Sequence, residues 1–513
     1  MKLDIVQNAK RNIMAGILNK GLMMLFPFLN RTLFLWLLGP EYLGLNGLFG
    51  SVLGVLSLAE LGFGSAVVCS MYKPIADDDR ATVSAYLAYY RGVYRVIGGL
   101  VFAVGLSLMP FLGRLVHGDV PPDVNLHVLY LIHLANTTLG YFLFAYKGAL
   151  LSAYQREDIH SHIRSGISVA QYLVTFAILL LTRNYTYFVV ATVAFTVATN
   201  LCIEWQTRRL FPDIVPAGAL SDARRRKVVA DVKSIFLHKI GTVISYSADN
   251  LVISAFLGLV AVAAYGNYYY VYTAVGGAVY VLFNSLTAGF GNTIRTESVA
   301  DNFARFMKAN KLALLAIAWC AAMMLALYQP FMRVWVGAKD AGLVQHVLTP
   351  VLMVVYFYVN ESRQMLQTFK SAAGLWRQDR WKPIVAGVVN LALNVSLIGW
   401  IGLDGVILST LVSFAVIEIP WEASVLFRCY FEKDRSERGI RSRAYWRLQA
   451  VALAWTTALA LAVWGVAALV PLSGFAGLAA KGIAAAIAAS ALVGAAARRC
   501  GFRWGVRAVE GIR

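Results

Sequence analysis

The sequence predicts an all-α polytopic membrane protein with about fourteen transmembrane helices, arranged as two six-helix lobes followed by two further helices. Three observations lead there. The 513 residues are 59% hydrophobic and only 14% charged, with a mean hydropathy of +0.63, far too apolar for a soluble chain of this length. Apolar windows of spanning length recur along the whole chain. The chain also repeats itself with the same polarity.

The windows fall in 12–38, 42–70, 90–112, 125–148, 163–182, 185–206, 235–258, 261–290, 311–330, 344–369, 383–401, 404–427, 448–470 and 474–497. With this division the N-terminus, YKPIADDDR, YQREDIHSHIR, RRLFPDIVPAGALSDARRRK, IRTESVADNFARFMK, WRQDRWK, FEKDRSERGIRSR and the C-terminal RRCGFRWGVR share one side. The opposite loops carry only Arg114, Arg183, Arg333 and Lys339. The basic side is expected to be cytoplasmic, with both termini there. The net charge of +19 therefore reflects membrane topology, and a nucleic-acid partner is not expected. Five cysteines stand singly, without metal-ligand or disulfide spacing, and no cofactor is expected. MKLDIVQNAKRN leads straight into the first window, so no cleaved signal peptide is expected.

HKIGTVISYSADNLVISAFLG, His238 to Gly258, aligns without a gap on NKGLMMLFPFLNRTLFLWLLG, Asn19 to Gly39. Lys20 meets Lys239, Arg31 meets Asn250 and Gly39 meets Gly258. A GFG closes the next span both times, at Gly62 to Gly64 and Gly289 to Gly291. A second echo pairs AYKGALLSAYQRED with TFKSAAGLWRQDR, where Lys147 meets Lys370. Six spans separate the equivalent segments, which makes a parallel repeat about an axis along the membrane normal, with a substrate site expected between the lobes. The divisions expected are a first lobe over 1–210, a cytoplasmic linker over 211–233, a second lobe over 234–430, a cytoplasmic loop over 431–447, and two extra helices with a basic tail over 448–513.

LGPEYLGLNGLFGSVLGVLSLAELGFGSAVVCSMYKPIADDDR, Leu38 to Arg80, resembles the corresponding segment of bacterial polysaccharide transporters, the Wzx-type oligosaccharide flippases. These belong to the superfamily that also holds multidrug and toxin extruders and the lipid II flippase. The likeness in span pattern covers nearly the whole chain, and the specific wording lies in the first 80 residues. The resemblance implies a MATE-like two-lobe core with extra C-terminal helices in the bacterial cytoplasmic membrane. It also implies alternating access, and a lipid-linked oligosaccharide as substrate, carried on an isoprenoid pyrophosphate and surrounded by membrane lipid and other polysaccharide-assembly proteins.

Polar side chains inside the spans are the candidate site. Lys20 and Arg31 are eleven residues apart, close to three turns, and so share one face about 16 Å apart along the axis. They line a path for a pyrophosphate or snorkel toward the two membrane surfaces. The seventh window carries Lys239, Thr242, Tyr246, Asp249 and Asn250, where Asp249 serves either neutralisation or proton coupling. The tenth carries Tyr356, Asn360, Arg363, Gln364, Gln367 and Lys370 at helical spacing, a set suited to sugar hydroxyls and an anion. Glu361 lies just off that face and pairs with Arg363 or a neighbouring helix. Glu60 is placed for an ion pair with Lys20, structural or gating, and His133 for hydrogen bonding or a response to pH. Tyrosines of NYYYVYT, Asn267 to Thr273, suit an interfacial belt or a sugar platform. Glu418, in IEIPWE, has no role from sequence.

A membrane glycan polymerase is the enzymatic alternative, but the chain carries no HEXXH, GxSxG or paired-carboxylate motif and no large outer loop. A cation-coupled multidrug extruder is the nearer alternative. Its cavity is expected to be acidic, whereas Lys20, Arg31, Lys239 and Arg363 outnumber Glu60, Asp249 and Glu361.

Overall fold

A computed structural model describes residues 25–499 apart from 61, 118–119 and 434–438, with the side chains of 237–246 and a few other helix positions also outside the description. Among the described residues the chain is helical throughout and has no strand. This follows from the environment the sequence is built for: in hydrocarbon only a helix satisfies every backbone donor and acceptor within one segment.

The helices are α1 (Leu25–Leu37), α2 (Pro40–Leu56), α3 (Phe63–Ala76), α4 (Arg80–Leu108), α5 (Leu126–Phe142), α6 (Gly148–Ala153), α7 (Glu157–Thr182), α8 (Tyr185–Leu210), α9 (Asp222–Leu257) and α10 (Leu259–Thr296). They continue as α11 (Val299–Trp335), α12 (Leu348–Ala372), α13 (Lys382–Ile401), α14 (Leu403–Phe431), α15 (Ile440–Ala468) and α16 (Gly474–Arg499). Each sequence window overlaps at least one of these helices, and 42–70 takes in both α2 and α3 with the break between them. Among the described residues eight helices are long and apolar enough to cross a membrane, or nine if α5 and α6, bent by 49°, form one span. Polar side chains start several of them: Asp79 accepts from the Thr82 N–H, Asn184 from Tyr187 and Ser298 from Asp301.

The chain divides into two compact units, one up to Ala263 and one from Ala264. In the first, α3, α4 and α6 close around a core that includes Met71, Tyr90, Tyr94 and Leu150. Helix α9 begins at Asp222, within the segment expected as a linker, and packs along α2. In the second unit α15 and α16 pack on α11 through Ala318, Ala322, Ala326, Ala460, Ala467, Ala485 and Ala489. Methyl-sized side chains at four-residue spacing let the helix backbones approach closely, which is how apolar helices gain contact in lipid. The Trp319 indole N–H donates to Ser490 at 3.2 Å across this seam. Between α14 and α15, burial would raise the Glu432 carboxyl, but hydrogen bonds from the Gly439 and Ser442 N–H groups outweigh it and hold the group below the usual carboxylate range.

The repeat seen in sequence has a local counterpart in the backbone. Gly39 ends α1 with φ 116° and ψ 175°, and its sequence counterpart Gly258 ends α9 with φ 87° and ψ −178°. Only glycine enters this region readily. In each copy the next helix starts on the following residue, at Pro40 and Leu259. The two GFG segments differ. Gly62 is left-handed and separates α2 from α3, whereas Gly289 to Gly291 lie inside α10, whose hydrogen-bond ladder continues to Thr296.

At Gly258 a Cβ would sit 2.6 Å from the His117 carbonyl oxygen, while at Gly39 its nearest neighbour is the movable end of Glu41. Gly258→Ala is therefore expected to destabilise the protein by about 1–3 kcal/mol. Gly39→Ala should cost less, because it carries the backbone strain alone. Thermal unfolding of the two variants in detergent checks the order.

Candidate functional site

Arg363 and Lys370 are seven residues apart on α12 and Glu418 and Glu422 four apart on α14, so each pair faces one way. Residues 413–418 of α14 are wound as a π-helix, which accommodates Pro420 four residues on from the Val416 carbonyl it cannot bond. Lys382 opens α13, and Asp379 lies in the short 3₁₀ turn before it.

These six charges form one buried network. Arg363 pairs with Glu418 and lies 3.6 Å from Glu422; Lys370 pairs with Asp379 and reaches Glu422 at 3.4 Å; Lys382 pairs with Glu422 and reaches Glu418 at 3.3 Å. The Glu422 side chain is fully buried. Three cations alternate with three carboxylates, so the cluster has no net charge. The Arg363 guanidinium also lies 4.7 Å over the Phe414 ring. On its other side Arg363 donates to Asn360 at 3.4 Å, and Asn360 donates to Glu361 at 2.9 Å. Asn360, Glu361 and Arg363 are thus brought together, with an amide as the relay between the two charges. Tyr356 is buried and stacks on Tyr272 of α10 at 4.6 Å. Gln364 and Gln367 are half-buried beside this seam.

The first unit has its own buried pair, with Lys147 bound to Glu204 of α8 and Arg208 closing on the same carboxylate. Glu60 accepts from Tyr94, which in turn accepts from Tyr90 at 2.6 Å. Its expected partner Lys20 lies outside the described residues. His133 contacts the Tyr185 hydroxyl at 3.2 Å and packs 5.4 Å from the Phe49 ring. Arg31 is half-buried and donates to the Ala263 carbonyl at 3.4 Å. On α9, Asn250 donates to Ser51 of α2 at 2.9 Å and Asp249 is buried, while the Lys239 and Tyr246 side chains lie outside the described residues.

Sequence reasoning assigned no role to Glu418 and passed over Glu422, Lys382 and Asp379. The available signal was two glutamates four residues apart in one apolar span, set against cations seven apart in another. Of the NYYYVYT tyrosines, Tyr268 and Tyr272 are buried, with Tyr268 stacked on Tyr328 at 5.6 Å.

Removing one member of such a network leaves a charge stranded in low dielectric, which costs about 3–5 kcal/mol. Glu422→Gln is expected to lower the folded yield and thermal midpoint steeply, and Glu422→Gln combined with Lys382→Gln to restore part of the loss. Size-exclusion profiles and melting curves in detergent read both.

No protein-family model matches the sequence, and no curated protein matches it. Solved structures do match. The lipid II flippase MurJ in an inward closed conformation aligns with a TM-score of 0.70 at 12% identity, covering 95% of this chain and 100% of that one. A multidrug resistance MATE family transporter of the MOP superfamily, inward-facing, aligns with a TM-score of 0.59 at 16% identity, covering 79% and 94%. A MATE transporter in complex with MaL6 gives 0.52 at 16% identity, covering 80% and 94%. The chain has the helical fold shared by MATE-type transporters and the lipid II flippase.

Proposed function

We propose that this protein is a flippase that carries an isoprenoid-pyrophosphate-linked oligosaccharide across the bacterial cytoplasmic membrane for surface polysaccharide synthesis, by alternating access. The observation that carries the reading is the extent of the likeness to the lipid II flippase. Coverage of 95% leaves about 26 of the 513 residues outside the match, fewer than the 55 of α15 and α16 together, which supports a counterpart there for part of that pair. The MATE alignment leaves about a fifth of the chain without one. The resemblance of Leu38 to Arg80 to Wzx-type flippases points the same way, and so does the excess of cations among the sequence candidates, which suits a pyrophosphate.

Deleting the gene should abolish one surface glycan while leaving drug susceptibility unchanged. Raised drug susceptibility with an intact surface glycan would instead establish a multidrug extruder, and a shortened glycan that still reaches the surface would establish a polymerase.

In this reading Arg31 meets the headgroup phosphate. Losing a charge-assisted hydrogen bond there should weaken substrate binding roughly ten- to a hundredfold. Arg31→Gln is expected to impair export at matched membrane expression, and Arg31→Lys to recover it only partly because the two-pronged guanidinium fork is gone. Equal activity of the Lys variant would mean that only a charge near the membrane surface matters.

A further inference from the structure

We propose that the second unit carries a pH-sensitive pocket for phosphoryl anions at the junction of α11 and α12, remote from the buried network. Thr349, beside the pocket, and Lys370 are 21 residues apart on α12, about 32 Å along the helix. The proposal goes beyond the transport reading and does not depend on it. The charge distribution of the sequence assigns this junction to the extracytoplasmic side.

The pocket is a cavity of about 580 Å³ lined by Gln329, Arg333, Gly337, Gln345, His346 and Val347. Its wall is built from a cross-braced set of hydrogen bonds. Gln329 donates to the Gln345 carbonyl at 2.6 Å, the Gln345 N–H donates to the Tyr268 hydroxyl at 3.1 Å, and that hydroxyl donates to Gln329 at 3.1 Å. These bonds fix the segment that carries His346 to the cavity it shares with Arg333, which stands exposed in the last turn of α11. Arg333 makes no ion pair among the described residues.

His346 is held from behind. Its Nε2 lies 3.2 Å from the buried carboxylate of Asp404, and its Nδ1 lies 3.3 Å from the Thr349 hydroxyl. Thr349 donates its own proton to the other Asp404 oxygen at 2.7 Å, so its oxygen faces Nδ1 as an acceptor. Both ring nitrogens then face acceptors, so a proton added to the ring would find a partner in place. Both Asp404 oxygens are occupied, by Thr349 and by His346. The cavity therefore meets Arg333 and the His346 ring, with the Asp404 carboxylate behind that ring. The charged and titratable groups around the ring are Asp404 from α14, Arg333 from α11 and Tyr268 from α10, with Lys339 and Asp340 in the same loop.

A guanidinium fork and an imidazole lining one cavity suit a tetrahedral oxyanion such as phosphate. The adjacent Val347 and Leu348 are 61% and 50% exposed, an apolar rim that favours a phosphate anchored in the bilayer over one free in solution. A proton taken up by His346 would add positive charge to the cavity, so the anion should be held more tightly at acid pH.

The test uses the full-length protein in two arms. Inorganic pyrophosphate is titrated calorimetrically into detergent-solubilised protein at pH 5.5 and pH 8, and thermal midpoints are read in nanodiscs of phosphatidylglycerol against phosphatidylcholine. Pyrophosphate should bind at pH 5.5 and weaken at pH 8, with affinity falling about tenfold in Arg333→Gln and the pH effect lost in His346→Gln. A phosphatidylglycerol-dependent midpoint that disappears in Arg333→Gln assigns the site to an anchored phosphate, and pyrophosphate binding without a lipid effect assigns it to a free one. Unchanged affinity in Arg333→Gln, a pH effect that survives His346→Gln, or no response to either probe at pH 5.5 would overturn the proposal. Arg333 is exposed, and a glutamine amide at 346 can still donate to Asp404, so loss of folding is not expected, and an unchanged midpoint in phosphatidylcholine checks it.

Discussion

Charge inside a lipid-embedded bundle has to be neutralised where it stands, and in the second unit Glu422 is the point on which that neutralisation turns. Its carboxylate lies within ion-pair reach of Arg363, Lys370 and Lys382, and so ties α12, α13 and α14 to one another. Water that elsewhere would solvate a stray charge is excluded by the surrounding apolar faces, so each group depends on the others. A network of this type specifies one arrangement of helices more than it adds to stability, because well-packed apolar side chains would hold the same space at a lower desolvation penalty. On the transport reading proposed above, that property would keep helices in place within a rigid body while larger parts move.

The first unit solves the same problem with fewer groups. Lys147, which echoes Lys370 in sequence, is paired with Glu204 on α8, and Lys370, besides its pair with Asp379, reaches Glu422 on α14. The two pairs follow corresponding segments of the internal repeat, and each joins the fourth span of its copy to the sixth. The surroundings differ. Lys147 sits in a 3₁₀ turn at the bend between α5 and α6, whereas Lys370 lies within unbroken α12. Matched glycines at 39 and 258 and matched lysines at 147 and 370 thus keep the same mechanical tasks in copies that otherwise diverge.

Polar groups near the bundle ends follow a different economy. Arg333, at the end of α11, and His346 are both exposed, so a charge there need not be cancelled as fully as in the interior. The contrast between a neutralised interior and a cationic end separates groups that hold the fold from groups available to a ligand.

The sequence by itself determined the fold class and the approximate position of most of the described helices, because hydrophobicity and helical periodicity act locally and need no partner. Gly39 and Gly258 were legible for the same reason: a backbone conformation is written into one residue. The polar stripe of α12 was legible as a stripe, but not which of its members meet charge. That Arg363 faces Glu418 while Gln364 and Gln367 lie half-buried beside it depends on the rotation of α14, which is shifted by its π-helical turn and set only when three helices pack. Asp379, Lys382, Glu418 and Glu422 are spread over 44 residues and three elements, and no local pattern joins them. Only the tertiary structure brought them together, because an ion pair is a relation between distant parts of the chain.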